Sequence, residues 1–231
     1  MRWLSRNRNV AVIVTRHIVK CGSRSLFNRW IYGNIDRVVF VSQLAMDEFL
    51  STNPPVDRGK LSVVHNSVKD VPPSPPSFAE SPLKLLFVGR VCPDKGIETL
   101  LEAMILLKGE NLTLDIVGTG DDGYIRRLAC KAEENGIAGS VNWLGFHEDV
   151  HPFIERADVC VAPSVCRESF GLSVLESMAH GKPVITTDNG AQPEYMTSGY
   201  DGILVSPSDA TALADAIKRL LHDPELRLSL I

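Results

Sequence analysis

From residue 83 onward, short runs rich in Val, Ile and Leu, near Leu83, Leu112, Val141, Asp158, Pro183 and Gly202, alternate with helical stretches near Lys95, Tyr124, Val150, Phe170, Gln192 and Asp209. Strict strand–helix alternation needs a crossover after every strand, which makes the strands parallel and lays the helices on the faces of one sheet. Upstream the order is a strand (Val10 to Thr15), a helix (Arg24 to Tyr32), a strand (Arg37 to Ser42), a helix (Leu44 to Ser51) and a short strand (Leu61 to His65). That is half of a similar domain. Between the two lies Pro72-Pro73-Ser74-Pro75-Pro76-Ser77. Proline lacks an amide donor and stiffens the chain toward an extended form, so this stretch reads as a connector. The expected organisation is an α/β chain: residues 1–71 as part of a Rossmann-like domain, 72–82 as a linker, and 83–231 as a second Rossmann-like domain with a parallel sheet.

Ligands of such sheets sit at the carboxyl ends of the strands, where Gly89, Gly118, Gly145 and Ser164 fall. Gly89 leaves room for close approach, Arg90 offers a planar fork to phosphate oxygens and Lys95 a point charge. Glu168 and Glu176 stand eight positions apart across Phe170-Gly171, where the strand Asp158 to Ala162 gives way to a helical pattern over Phe170 to His180. A helix start offers N–H groups to phosphate, whereas carboxylates there accept hydroxyls. A nucleotide sugar needs both kinds of group; the alternative is that these glutamates are solvated or capping. Gly118-Thr119-Gly120-Asp121-Asp122-Gly123 satisfies G-x-G-x-x-G, yet two carboxylates inside the loop would repel a pyrophosphate and the match follows the domain's second strand. A redox assignment is therefore rejected.

The Glu168 to Glu176 segment has an E-x7-E pattern, and on it the chain resembles the retaining glycosyltransferases of family 4, or group 1. Phe87-Val88-Gly89-Arg90-Val91 with Asp94-Lys95-Gly96, Leu144-Gly145-Phe146, Ala162-Pro163-Ser164, Gly181-Lys182-Pro183-Val184 and Gly190-Ala191 to Glu194 follow in that family's order, over residues 83–222. Weaker matches lie in Thr15-Arg16-His17, Asp36 to Ser42 and Val64-His65-Asn66-Ser67. The resemblance implies a GT-B architecture, with 83–231 as donor domain and 1–71 as a remnant of the acceptor-side domain. It implies transfer of a sugar, of hexose type, from a nucleoside diphosphate to a glycan or lipid-linked acceptor hydroxyl with retained configuration. In catalytic roles it puts Arg90, Lys95 and Glu168, the last on the transferred sugar. Glu176 would hold the ribose, and Gly89, Gly118, Gly120, Phe146, Phe170, Gly171 and Leu172 would complete the donor site, with Leu144 to His147 lining the base. His17 is its candidate on the acceptor side. Measured against whole family members the chain reads as truncated: a Gly-rich N-terminal loop is missing, and Leu230-Ile231 falls within a helix-like stretch. A non-catalytic nucleotide-sugar-binding fragment and a nucleotide-sugar 2-epimerase are the alternatives.

No metal or cofactor is expected, because no Asp-x-Asp ends a strand and the histidines share no ligand spacing. The five cysteines form no C-x-x-C pair, and Cys160 in an apolar strand reads as a reduced core residue, so a reducing, cytoplasmic setting is expected. No apolar run reaches spanning length. No nucleic-acid partner is expected. Residues 1–35 carry seven Lys or Arg and no acid, against 17 basic and 28 acidic residues in the remainder. That bias leaves two readings open, a solvated basic surface and peripheral contact with an anionic membrane; no strongly apolar helical face is evident beside the charges.

Overall fold

The computed structural model describes residues 10–72 and 82–231. The chain divides into two compact units, Met1–Ser67 with Arg167–Phe170, and Val68–Cys166 with Gly171–Ile231. Most of the Pro-rich connector, and Arg2, Arg6 and Arg8, lie outside the described residues.

The first unit holds a parallel sheet in the order β1 (Ile13–Arg16), β2 (Arg37–Phe40), β3 (Leu61–Val63). Two helices join them, α1 (Leu26–Gly33) and α2 (Gln43–Leu50). Each begins at a serine whose side chain accepts an N–H of the first turn: Ser25 from Asn28 and Ser42 from Ala45. Val38 and Phe40 point from β2 to Ala45 and Phe49 of α2, forming a small core closed by Ile35. α1 behaves differently. Leu26, Phe27 and Trp30 are all more than half exposed, and the rings of Phe27 and Trp30 stack 6.1 Å apart. An apolar helical face thus does accompany the basic residues Arg24 and Arg29, contrary to the reading of the sequence.

In the second unit all six expected strands form: β4 (Leu83–Val88), β5 (Leu112–Val117), β6 (Val141–Gly145), β7 (Val159–Ala162), β8 (Val184–Thr187) and β9 (Ile203–Val205). They make one all-parallel sheet in the order β6-β5-β4-β7-β8-β9. Side chains alternate along each strand with period two. Leu83, Leu85 and Phe87 of β4, with Val159 and Val161 of β7, pack one face under α3 (Ile97–Leu106), α4 (Asp122–Glu134) and α7 (Ala210–His222). Leu86 and Cys160 face the other way, against Ile154 of α5 (His151–Arg156) and Val174 of α6 (Leu172–Ala179). Each fully buried aliphatic side chain contributes roughly 1.5–3 kcal/mol of transfer free energy, which is what holds two helical layers to one sheet. A further short helix, α8 (Pro224–Ser229), follows α7.

One expected helix is absent in that form. Around Gln192 the chain makes only a three-residue 3₁₀ turn, Gln192–Glu194, with Pro193 in its middle, so β8 reaches β9 through an irregular loop. No disulfide joins any of the five cysteines, and Cys160 is buried in the core. Among the described residues no helix is long and apolar enough to cross a membrane.

Candidate functional site

The strand order reverses between β4 and β7, because β5 and β6 lie to one side of β4 and β7 to β9 to the other. Loops leaving the carboxyl ends of β4 and β7 diverge there and open a crevice. Glycines make the loops fit. A Cβ on Gly118 would lie 1.8 Å from the Gly89 carbonyl oxygen, and one on Gly120 1.8 Å from that of Val91. The G-x-G run thus lets the turn after β5 press directly on the turn after β4. Across the crevice, Asp94 O accepts Val165 N at 2.9 Å and Cys166 N at 3.2 Å, and Gly96, left-handed at φ 71°, stands where a side chain would strike the Pro163 carbonyl.

A cavity of about 260 Å³ opens beside these turns. Val88, Gly89 and Arg90 from the end of β4, and Val117, Gly118 and Thr119 from the end of β5, form two walls. Phe146 and His147 after β6, with Val150 before α5, form the third. Gly89, Arg90, Gly118 and Phe146, four of the residues singled out in the sequence, therefore meet in one place. Phe146 is 73% exposed, which leaves a ring face open to a planar ligand. His147 is steadied from behind, its Nε2 donating to Leu144 O at 3.1 Å and its ring 4.5 Å from that of Phe153. Thr119, Val88, Val117 and Val150 escaped the sequence reading; Thr119 lies inside the G-x-G run, and the valines read simply as core.

The other candidates sit elsewhere. Gly120 packs on Val91 and does not line the cavity. Lys95 ends the 3₁₀ turn Pro93–Lys95 on the β4 side of the crevice. Gly171, left-handed at φ 85°, is the N-cap of α6, Leu172 its first residue, and Glu176 lies half-buried in its second turn. The Glu176 carbonyl accepts His180 Nδ1 at 2.8 Å, and His180 Nε2 meets His151 Nδ1 at 3.1 Å, tying α6 to α5. Beneath α6, burial pushes the Cys160 thiol up to about 11, and burial also lowers the Lys182 ammonium, whose Nζ donates to Glu155 O at 2.8 Å. Glu168 and Phe170 group with the first unit. There Arg167 Nη1 meets Glu48 Oε2 at 2.7 Å, Ser169 Oγ donates to the His17 carbonyl at 2.6 Å, and the Phe170 ring lies 5.4 Å from that of His65. The His17 side chain is exposed. Asp121, the residue that weighed against a pyrophosphate, accepts Tyr124 N and caps α4. Among the described residues no three metal-ligating side chains converge.

The model of the family "Glycosyl transferases group 1" matches residues 73–231, and the chain belongs to that family. It is 36% identical over 149 residues to the putative glycosyltransferase EpsD of Bacillus subtilis (strain 168), covering 64% of this chain and 39% of that protein. It is 33% identical over 172 residues to the lipopolysaccharide core biosynthesis glycosyltransferase LpsE of Rhizobium meliloti (strain 1021), covering 74% and 47%. The chain thus spans less than half the length of these relatives. Anabaena HepE, crystallised in complex with UDP and glucose, superposes with a TM-score of 0.84 at 21% identity, over 99% of this chain and 66% of that one. The fold is the α/β fold of the GT-B glycosyltransferases.

Proposed function

We propose that the second unit is the donor-binding part of a retaining glycosyltransferase that moves a hexose from a nucleoside diphosphate to a glycan or lipid-linked acceptor hydroxyl. The observation that carries this reading is Arg90 on the rim of the glycine-walled cavity at the β4 end, with the exposed ring of Phe146 opposite. The base lies on Phe146, and the diphosphate passes over the close-packed Gly89 and Gly118 turns. Arg90 and Lys95 neutralise it without a metal. As the glycosidic bond breaks, charge grows on the leaving phosphate, where fixed cations contribute most. The acceptor hydroxyl attacks from the face the phosphate leaves, and the phosphate oxygen takes its proton. Glu176 accepts the ribose hydroxyls and Glu168 those of the transferred sugar. His17 belongs to the acceptor side. The epimerase alternative has no support among the relatives named above. The exposed Leu26, Phe27 and Trp30 beside Arg24 and Arg29 support peripheral contact with an anionic membrane surface, consistent with a lipid-linked acceptor.

Calorimetric titration with UDP and with GDP, each with and without EDTA, tests the reading, and binding of one of them that survives chelation is expected. Glu176→Ala should weaken nucleotide and donor alike, by about 1.5–3 kcal/mol for a charged acceptor lost. Glu168→Ala should weaken the sugar-bearing donor alone. Equal, small losses in both variants would mean that the two carboxylates are merely solvated.

A further inference from the structure

Among the described residues that line the cavity, only Arg90, Thr119 and His147 carry side chains that can hydrogen-bond. Arg90 donates only, and in the reading above it lies on the diphosphate. The Thr119 hydroxyl turns to donate or to accept, so it favours no base by itself. Stacking on Phe146 is equally indifferent, since every base has a flat face. His147 is left to discriminate.

The neighbours of His147 fix what its ring offers. Leu144 O can only accept, so the nitrogen 3.1 Å from it, Nε2, carries the proton. In the neutral ring Nδ1 is then a lone pair, and it takes no hydrogen bond among the described residues. Nδ1 is therefore the hydrogen-bonding atom that this side chain has left for a ligand in the cavity it lines. The ring also packs 4.5 Å from that of Phe153, which lies 5.1 Å from the Arg156 guanidinium and against the core holding α5 to the sheet. Its place along the sheet suits a base. His147 follows β6, and β6 stands two places from β4. At about 4.8 Å per strand, that is roughly 10 Å from the turn bearing Arg90, about the span from a nucleotide's phosphate to the pairing edge of its base.

We propose that His147 selects the base of the donor through Nδ1, admitting uracil or guanine and refusing cytosine and adenine. The assignment rests on the nucleotide-sugar reading above and adds the class of base. Uracil and guanine carry an N–H at the centre of the pairing edge, which a fixed acceptor meets with a hydrogen bond. Cytosine and adenine carry a lone pair at that position. Two acceptors facing each other both go without a donor, and that mismatch discriminates as much as the bond does.

The probes are two pairs of equal ring size, UDP with CDP and GDP with ADP, titrated calorimetrically into the 231-residue chain and into His147→Phe, with thermal unfolding of both. Phenylalanine keeps a ring against Phe153 and removes both nitrogens, and the position is exposed, so the variant should fold with an unchanged midpoint. The unsubstituted chain is expected to bind UDP about tenfold tighter than CDP, or GDP about tenfold tighter than ADP, equivalent to about 1.4 kcal/mol. His147→Phe should erase the preference within that pair, chiefly by weakening its tighter member. Equal affinities within both pairs for the unsubstituted chain overturn the proposal and leave the nucleotide-sugar reading standing. So does a variant that keeps the preference, and so does one that weakens both members of the pair equally, which would make His147 a packing residue. Absence of binding by every diphosphate would instead remove the nucleotide-sugar reading, and the base filter with it.

Discussion

Gly118→Ala is the sharpest perturbation of the candidate site. The new methyl would begin 1.8 Å from the Gly89 carbonyl oxygen, and the position holds φ at 142°, where side chains rarely go. Carbon and oxygen rest in contact at about 3.3–3.6 Å, so the turns after β4 and β5 must separate by roughly 1.5 Å. Overpacking of this kind costs about 1–3 kcal/mol, and the backbone conformation adds about 1–3 kcal/mol. A loss of about 2–6 kcal/mol in unfolding free energy is expected. Both residues line the cavity, so ligand contacts move with the turns, and misplacement by about 1 Å is commonly worth a hundredfold in function. Urea unfolding and calorimetric titration with UDP or GDP measure the two effects. Gly139→Ala is the control: nothing lies within 4 Å of its Cβ, and less than about 0.5 kcal/mol should change. Should Gly118→Ala unfold and bind like the unsubstituted chain, the close approach of these turns has no hold on the site.

Two further outcomes are expected. Arg90→Ala should weaken a nucleoside diphosphate by about 1.5–3 kcal/mol while leaving the parent nucleoside unchanged, since a cation on phosphate has nothing to offer the base; equal losses for both ligands would place Arg90 elsewhere. Alkaline unfolding should carry a signature of Cys160, whose thiol ionises near 9 when unfolded and near 11 when folded. The unfolded chain loses this proton first, so the stability linked to it is complete below pH 9 and declines toward pH 11, by about 3 kcal/mol at roughly 1.4 kcal/mol per pH interval. Cys160→Ala should flatten that decline, as read by urea midpoints between pH 8 and 11.

The sheet was legible because its strands are buried on both sides and stand out as Val/Ile/Leu runs, which gave all six strands of the second unit. Gly89, Arg90, Gly118 and Phe146 were legible because turn glycines and a cation at strand ends have few other reasons to occur together. Thr119 and the valines of the cavity wall were not, since nothing in a local pattern separates a core valine from one at the mouth of a pocket. The loop at Gln192 misled differently. Its residues read as the start of a helix, and the chain makes a 3₁₀ turn with Pro193 there instead. The apolar face of α1 was missed because Leu26, Phe27 and Trp30 are interleaved with polar residues in an eight-residue helix, and exposure is a property of packing.

Every strand pair in both sheets runs parallel, and that governs how the chain acquires its structure. Among the described residues no hairpin is available to start a sheet, so each ladder waits for a loop to close around a helix. The longest wait falls on β4 and β7, whose seam carries a bond from Lys84 N to Asp158 Oδ2 across 74 residues. Until that loop closes, the chain exposes strands as apolar as any in the molecule, and release from a ribosome or a denaturant is the moment of greatest risk of aggregation. The same seam is the crevice floor. The walls of the cavity come from the ends of β4, β5 and β6 and from Val150, so they can form before that seam closes. Ligand present during refolding can therefore hold that half of the sheet together while the seam is still open.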